Sequence, residues 1–166
     1  MTSIRDEQLR NERLVFYEQD IGQLDLQLDS FLELSKARCA LLIDCEGHLV
    51  TRRGEHMGKA EDSISALVAG SFAATKEIAR LLGQSEFTAM VHQGARESIQ
   101  IQLIGGRTLL TTVFDDRTNL GLVRFYAQET VQRISDIFAQ IAEEERESGL
   151  DRNFSSQAEA ALDDLF

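Results

Sequence analysis

The length and charge of the chain already exclude several classes of protein. Its 166 residues suffice for about one domain, and 17 basic against 28 acidic residues give a formal net charge of −11. Such a surface repels phosphate backbones and anionic lipids, so no nucleic-acid partner is expected. No apolar run approaches the roughly 20 residues that span a bilayer, and no leader sequence opens the chain. We therefore expect a cytoplasmic protein without membrane insertion.

In the first half of the chain, the spacing of the apolar residues alternates between patterns typical of helices and of strands. Apolar residues from Leu14 recur at steps of three and four, which predicts a helix. A short apolar run follows, too short for a helix, which is typical of a strand covered on both faces. Asp62 is the predicted N-cap of a second helix, and Gly83 suits the left-handed position after its end. The predicted elements are a helix at 14–35, strands at 38–44 and 48–53, and a helix at 62–82.

The second half alternates with a period of two before a helical period returns. Ile99, Ile101 and Leu103 point one way and the residues between them point the other, which predicts a strand with one wet face. Gly105-Gly106 then suits a two-residue hairpin turn, because both central positions need positive φ. The predicted elements are strands at 87–92, 98–103 and 107–114, and a long helix from 120 to 147.

The element order α β β α β β β α predicts an α+β fold of the α/β sandwich type. It has a five-stranded sheet with central antiparallel strands and helices packed on it. Residues 148–157 are polar and are interpreted as a linker to a short terminal segment. The expected division is an N-terminal extension at 1–13, one domain at 14–147, and a linker with a C-terminal docking segment at 148–166.

The search for enzyme chemistry yields little. The sequence has no phosphate-binding loop, nucleophile elbow or zinc helix. Cys39, Cys45 and His48 share only a loose spacing, and Cys39 is best explained as a small core residue. The pair Asp115-Asp116 suits the capping of a turn and of the following helix better than catalysis, because no His or Lys adjoins it. We expect no catalytic residue, no metal and no cofactor, and the chain is not expected to be an enzyme.

The predicted second helix has two contrasting faces. One is an ordinary core-facing stripe of Ile64, Leu67, Val68, Phe72, Thr75, Ile78, Ala79 and Leu82. The other carries small residues where a solvated helix usually carries long polar ones. Alanine on a surface simply as a helix former is the alternative, but a run of small residues over two turns favours an interface with another protein. The candidate interface residues are Ala66, Ala69, Gly70, Ala73, Glu77 and Arg80.

The end of the chain is the second candidate site. Ser156 and Glu159 have the spacing of a capping box, and the apolar residues after them fall on one face of a short helix. Such a turn is unstable alone, so it is either a frayed terminus or a peptide that orders on a partner. We favour docking. The candidate docking residues are Leu162, Asp163, Asp164, Leu165 and Phe166.

Several short segments between residues 38 and 138, and the last residues of the chain, have sequences that are typical of a known protein family. The segments are 40–44, 67–70 with 81–83, 91–94, 113–121 and 162–165. In these segments the chain resembles the roadblock (dynein light chain) family and, within it, the bacterial MglB proteins that regulate MglA-type Ras-like GTPases. The resemblance implies a roadblock/longin-like fold with the same element order.

The resemblance also implies a function. The resemblance implies a homodimer in which the sheets join edge to edge and the second helices lie side by side. This dimer is expected to bind an MglA-type GTPase in its GTP-bound state. MglB-like proteins activate GTP hydrolysis by stabilising a switch arrangement of the GTPase, without inserting an arginine finger. The setting implied is bacterial polarity or motility control, in the cytoplasm or at the cell pole.

Two questions stay open at the level of sequence. Arg52, Arg53, Arg96 and Arg117 are all available, so the sequence by itself does not exclude a finger. A scaffold that binds a small GTPase or a signalling partner without stimulating hydrolysis would share the same fold and dimer. This scaffold is the alternative function.

Overall fold

The computed structural model describes residues 18–165. The helices in this part of the chain are α1 (Glu18–Ser35), α2 (Ala60–Leu81) and α3 (Leu120–Asp163). The strands are β1 (Cys39–Asp44), β2 (Leu49–Gly54), β3 (Ala89–Gln93), β4 (Ser98–Ile104) and β5 (Thr108–Phe114). This order confirms the predicted fold. The predicted start of the first helix, at 14–17, and the predicted extension at 1–13 lie outside the described residues.

The strands form one antiparallel sheet in the order β2-β1-β5-β4-β3. The strands β1, β5 and β4 are internal, and β2 and β3 are the two edges of the sheet. The turn between β4 and β5 has positive φ at Gly105 and Gly106, as predicted, although three residues rather than two connect the strands. Glycine adopts this conformation without the steric cost that a Cβ imposes.

The central strands of the sheet are buried on both faces. The core on one face joins Val68 and Phe72 of α2 to Leu41, Ile43, Ile101, Leu103 and Leu109 of the sheet. The other face includes Leu42 and its paired neighbour Leu110, both fully buried. Gln100 lies on this second face and is 1% exposed, so the prediction of a wet face on β4 is wrong. Packing on both faces overrides what the polar side chains of β4 indicate by themselves.

The C-terminal end of α2 agrees with the prediction from the sequence, and the N-terminal end does not. Lys59, not Asp62, is the N-cap, and it makes no side-chain capping bond; Asp62 lies in the first turn. At the other end, Gly83 has φ +74°, and its N–H donates to Arg80 O while Gln84 N–H donates to Ala79 O. These two bonds satisfy carbonyls that the helix leaves open, as in a Schellman motif. The prediction for Gly83 is confirmed.

The third helix is longer than predicted. It continues through residues 148–157, so the expected linker is helical and Ser156 lies inside a helix instead of capping one. The polar residues at 148–157 disfavour a helix only by tenths of a kcal/mol each, Gly149 costs about 1 kcal/mol, and no proline interrupts them. The chain divides into a compact unit at Glu18–Ser135, which holds the whole sheet, and a second unit that includes residues from Asp136 onward. None of the described helices is long and apolar enough to cross a membrane.

Candidate partner interface

The face of α2 that lies in the core matches the predicted one only in part: Val68, Phe72 and Ala79 are buried as predicted, whereas other members of the predicted stripe are exposed. Its buried residues include Ser65, Val68, Ala69 and Phe72. Ala69, predicted to lie at the interface, is only 6% exposed and belongs to the core of this chain. Small side chains suit the start of this helix because it passes close to the turn after β1: a Cβ on Gly47 would stand 2.9 Å from the Cα of Ala66.

Large apolar side chains of α2 consequently point away from the core. The prediction that Leu67, Ile78 and Leu82 face the core is wrong. These side chains and that of Leu81 are the main exposed hydrophobic groups in and just after the helix: Leu67 73%, Ile78 50%, Leu81 73% and Leu82 66%. Leu67, Ala74 and Leu81 recur at intervals of seven, so they share one line along the helix. We call Leu67, Ala74, Ile78 and Leu81 the apolar stripe. Exposed leucines in such a row are typical of a protein contact.

Beside the apolar stripe, the predicted small residues are exposed except for Ala69. Ala66, Gly70 and Ala73 all face solvent. A Cβ added to Gly70 meets no atom within 4 Å among the described residues, so nothing described in this chain requires glycine there. Glu77 and Arg80 form an ion pair, with Arg80 Nε 3.0 Å from Glu77 Oε1. This hydrogen bond raises the pKa of the Arg80 guanidinium.

The two edges of the sheet differ in their suitability for pairing with another strand. The edge strand β2 carries Arg52 and Arg53, and charged residues discourage edge-to-edge association. The edge strand β3 has the sequence Ala-Met-Val-His-Gln, without Lys, Arg, Asp or Glu, and its last three residues are exposed. An uncharged edge leaves its backbone groups available to a second strand.

Three of the four candidate arginines are engaged in ion pairs. Arg52 Nε lies 2.9 Å from Glu61 Oε1, and Arg53 donates to both oxygens of Asp29 at 2.7 and 2.8 Å. The hydrogen bond to Asp29 raises the pKa of Arg53. Arg117 donates to Asp115 and Glu55, each at 3.0 Å. Among the described residues, Arg96 makes no such contact, and its side chain is exposed on the turn between β3 and β4.

Arg117 belongs to a network that joins separate segments at one end of the sheet. Arg38 also binds Glu55, at 2.8 Å, and pairs with Glu97. The guanidinium of Arg38, followed by that of Arg117, lowers the pKa of Glu55. The hydrogen bonds from Arg117 lower the pKa of Asp115 and raise that of Arg117 itself. Sequence reasoning identified neither Arg38 nor Glu55 here, because their partners lie far along the chain.

The pair Asp115-Asp116 caps a turn, in agreement with the prediction, but it does not cap the helix that follows. Asp115 Oδ1 accepts the Arg117 N–H at 3.1 Å. The helix N-terminus is capped by Asn119, whose side-chain oxygen accepts the Leu122 N–H at 3.0 Å. Both acidic residues line a shallow open cleft with Arg96, Asn119 and Leu120. The Asp115 carboxylate is occupied by Arg117.

The turn between β1 and β2 gathers three possible ligand groups that spacing did not predict. Asp44, Glu46 and His48 place one ligand atom each within 4.8 Å of one another. Asp44 Oδ1 accepts the N–H groups of Glu46 and His48, both at 2.9 Å, so its local role is to close the turn. The cysteines are both free: Cys39 is buried, Cys45 is exposed, and burial raises the pKa of each thiol.

Comparison with known proteins defines the family. A Roadblock/LC7 domain model matches residues 23–114. This range runs from α1 through β5 and contains the whole sheet and α2. The chain belongs to the Roadblock/LC7 family. No curated protein matches the sequence.

Several solved structures are similar to this roadblock protein. Myxococcus xanthus MglB is 31% identical, with a TM-score of 0.72, and the alignment covers 77% of this chain and 96% of that one. A gliding protein MglB from Thermus thermophilus is 35% identical, with 79% and 96% coverage and a TM-score of 0.67. A further MglB structure, described as having a tetrameric arrangement, is 30% identical with 77% and 96% coverage and a TM-score of 0.73.

A Roadblock/LC7 domain from Streptomyces avermitilis, at 14% identity and a TM-score of 0.61, agrees in fold alone. The agreement with MglB structures confirms the expected resemblance of this chain to MglB-like roadblock proteins. Together with the family match, it confirms the α+β, roadblock/longin-like fold predicted from the sequence.

Proposed function

We propose that this roadblock protein is a homodimeric activator of an MglA-type Ras-like GTPase and binds it in the GTP-bound state. It is a regulator and not itself an enzyme. The proposed setting is the control of bacterial polarity or motility, in the cytoplasm or at the cell pole. No cofactor, metal or nucleic acid takes part in this function.

One observation carries the proposal. The exposed side of α2 combines an apolar stripe with the small residues Ala66, Gly70 and Ala73, in a chain whose alignment covers 96% of MglB from Myxococcus xanthus. Small residues allow another backbone to approach closely, and exposed leucines supply apolar area to a contact. The exposed part of the predicted interface is therefore Ala66, Gly70, Ala73, Glu77 and Arg80.

The proposed activation does not use an arginine finger. Arg52, Arg53 and Arg117 are held by carboxylates of the same chain, and inserting any of them into a GTPase would first break these pairs. Activation without a finger is a shift of population: the protein binds the catalytically competent switch arrangement more tightly than the others. The GTPase then hydrolyses GTP with its own residues.

Two features support the homodimer. The β3 edge is uncharged, and the apolar stripe of α2 is self-complementary, as a two-fold contact requires. We further propose that the end of the chain, Leu162, Asp163, Asp164, Leu165 and Phe166, docks on the bound GTPase. Of these residues, Phe166 lies outside the described part of the chain, and the four others are exposed.

The alternative is a scaffold that binds the GTPase without activating it. The same interface would serve both functions, because a fold does not fix an activity. The experiment measures GTP turnover by an MglA-type GTPase alone, by this protein alone, and by the two together. Stimulation only in the mixture supports activation. Binding of the GTP-bound form without stimulation supports the scaffold, and turnover by this protein alone would contradict both.

A further inference from the structure

The turn between β1 and β2 brings three side chains with metal-binding atoms together. Asp44, Glu46 and His48 lie at every second position of the turn, and one ligand atom of each is within 4.8 Å of the others. His48 Nδ1 is 3.1 Å from Asp44 Oδ2 and 3.6 Å from Glu46 Oε2. The cluster therefore offers a nitrogen ligand close to both carboxylates.

These separations are those of ligands that share one metal ion. Zinc lies about 2.0–2.2 Å from nitrogen and oxygen ligands, so two ligands at a tetrahedral angle are about 3.3–3.6 Å apart. The two distances from His48 Nδ1, 3.1 and 3.6 Å, bracket this range. Small rotations of the side chains are enough to place all three atoms around one ion.

The protein itself holds the turn in shape. Gly47 has φ +94°, and its N–H donates to Asp44 O at 3.1 Å. Asp44 Oδ1 accepts two further backbone N–H groups, and its Oδ2 faces His48. A Cβ on Gly47 would collide with Ala66, so the turn also packs closely on α2. This preorganisation lowers the entropic cost of binding an ion.

The chemistry of the ligands selects the class of ion. The two carboxylates are negatively charged, and a divalent cation neutralises both at close range. Calcium takes about six to eight oxygen ligands and magnesium retains several of its waters, whereas an imidazole combined with carboxylates suits zinc. Glu46 and His48 are exposed, which leaves the outer side of the ion open to water.

We propose that Asp44 Oδ2, Glu46 Oε2 and His48 Nδ1 bind one Zn²⁺ ion, with water completing its coordination. The bound ion fixes the turn that packs against Ala66, at the border of the small residues of α2. The proposal is independent of the proposed activation of a GTPase, in which no metal takes part.

Isothermal titration calorimetry of the full chain, first treated with a chelator, tests the site. Zinc chloride is the probe, and calcium chloride and magnesium chloride are the comparison salts. We expect one Zn²⁺ ion per chain, bound at least about tenfold more tightly than Ca²⁺ or Mg²⁺. Absence of Zn²⁺ binding at micromolar concentration, or equal binding of the three ions, would overturn the proposal.

Variants locate the ion. His48→Gln and Glu46→Gln each remove one ligand at an exposed position and are expected to weaken Zn²⁺ binding at least about tenfold. Asp44 is left unchanged because it closes the turn. His92→Gln removes an exposed imidazole from β3 and is the matched control, expected to change the affinity less than about twofold.

A second readout uses the natural chain, so it does not depend on how the variants fold. In nitrogen NMR spectra, the imidazole resonances of His48 should shift on addition of Zn²⁺, and those of His92 should not. Unshifted His48 resonances, or undiminished Zn²⁺ affinity in His48→Gln, would place the ion elsewhere and overturn the proposal.

Discussion

Arg117 Nη1 lies 3.0 Å from Glu55 Oε1, although 62 residues separate the two in the sequence. Glu55 follows β2, an edge strand, and Arg117 follows β5, which lies two strands away in the sheet. The pair, with Arg38 on the same carboxylate, fixes the loops at this end of the sheet. It also occupies an arginine that would otherwise be a candidate finger.

The first prediction concerns the acid stability of this network. The folded protein lowers the pKa of Glu55 below its ordinary 4.5 and that of Asp115 below 3.8. Groups with lowered pKa stabilise the folded state above their ordinary values, and this contribution is lost as the pH falls through the lowered ones. We expect the midpoint of urea unfolding to fall as the pH drops below about 4.5, and to fall less in Glu55→Gln. An identical pH dependence in both proteins would contradict this.

The second prediction tests activation without a finger. Arg96 is exposed and makes no ion pair with the described residues, so it is the arginine most available to act as a finger. The variant Arg96→Ala removes it. Loss of a true finger costs about 10³ to 10⁵ in rate, whereas we expect stimulated GTP turnover to stay within about twofold of the natural protein. A decrease as large as for a true finger, with binding to the GTPase intact, would show that Arg96 acts as one.

The third prediction compares two alanines of α2 that differ in burial. Ala69 is buried and Ala73 is exposed, so arginine at 69 places a charge in the core whereas arginine at 73 reaches solvent. Ala69→Arg should lower the free energy of unfolding by about 2 kcal/mol or more. Ala73→Arg should leave that free energy and the dimer nearly unchanged but abolish stimulation of the GTPase. Full stimulation by a folded Ala73→Arg protein would remove this face from the proposed interface.

The fourth prediction concerns the dimer. Light scattering after size-exclusion chromatography should give twice the monomer mass at micromolar concentration. Leu67→Arg/Leu81→Arg should give a folded monomer, because two charges then lie in the apolar stripe. Gln23→Arg, on the exposed part of α1, is the control and should remain dimeric. A monomeric natural protein would exclude the dimer, and a dimeric double variant would place its contact elsewhere.

The fifth prediction concerns truncation after Gln157. The described residues beyond it, 158–165, are exposed, so their removal should cost little stability. We expect the melting temperature to fall by less than about 2 °C, and binding of the GTP-bound GTPase to weaken. Unchanged binding would exclude the end of the chain as a docking segment for the GTPase. A loss of several degrees would indicate that this end contributes to the fold.

The sequence by itself determined the number, type and order of the described elements. Strand periods of two and helix periods of three and four arise from the backbone, and they are visible without knowledge of neighbours. The turns at Gly83 and at Gly105-Gly106 were likewise predictable, because they require a positive φ and glycine adopts a positive φ without steric cost. The segments that resemble MglB proteins led to the family.

Only the tertiary structure decided which faces of these elements lie inside. Helix α2 has apolar residues on two sides, so its period does not reveal that the side of Ser65 and Ala69 is buried, where small residues permit close packing. Gln100 is buried because of what covers the second face of the sheet, not because of its own polarity.

Tertiary structure also decided which distant residues make contact. The pairing of Arg117 with Glu55 depends on strand order, which local patterns do not encode. The extent of α3 was missed for a local reason instead: residues 148–157 are polar, but no proline interrupts them and the helix continues through them. Local periodicity fixes what a segment can form, whereas burial and ion pairing are properties of residues brought together from distant parts of the chain.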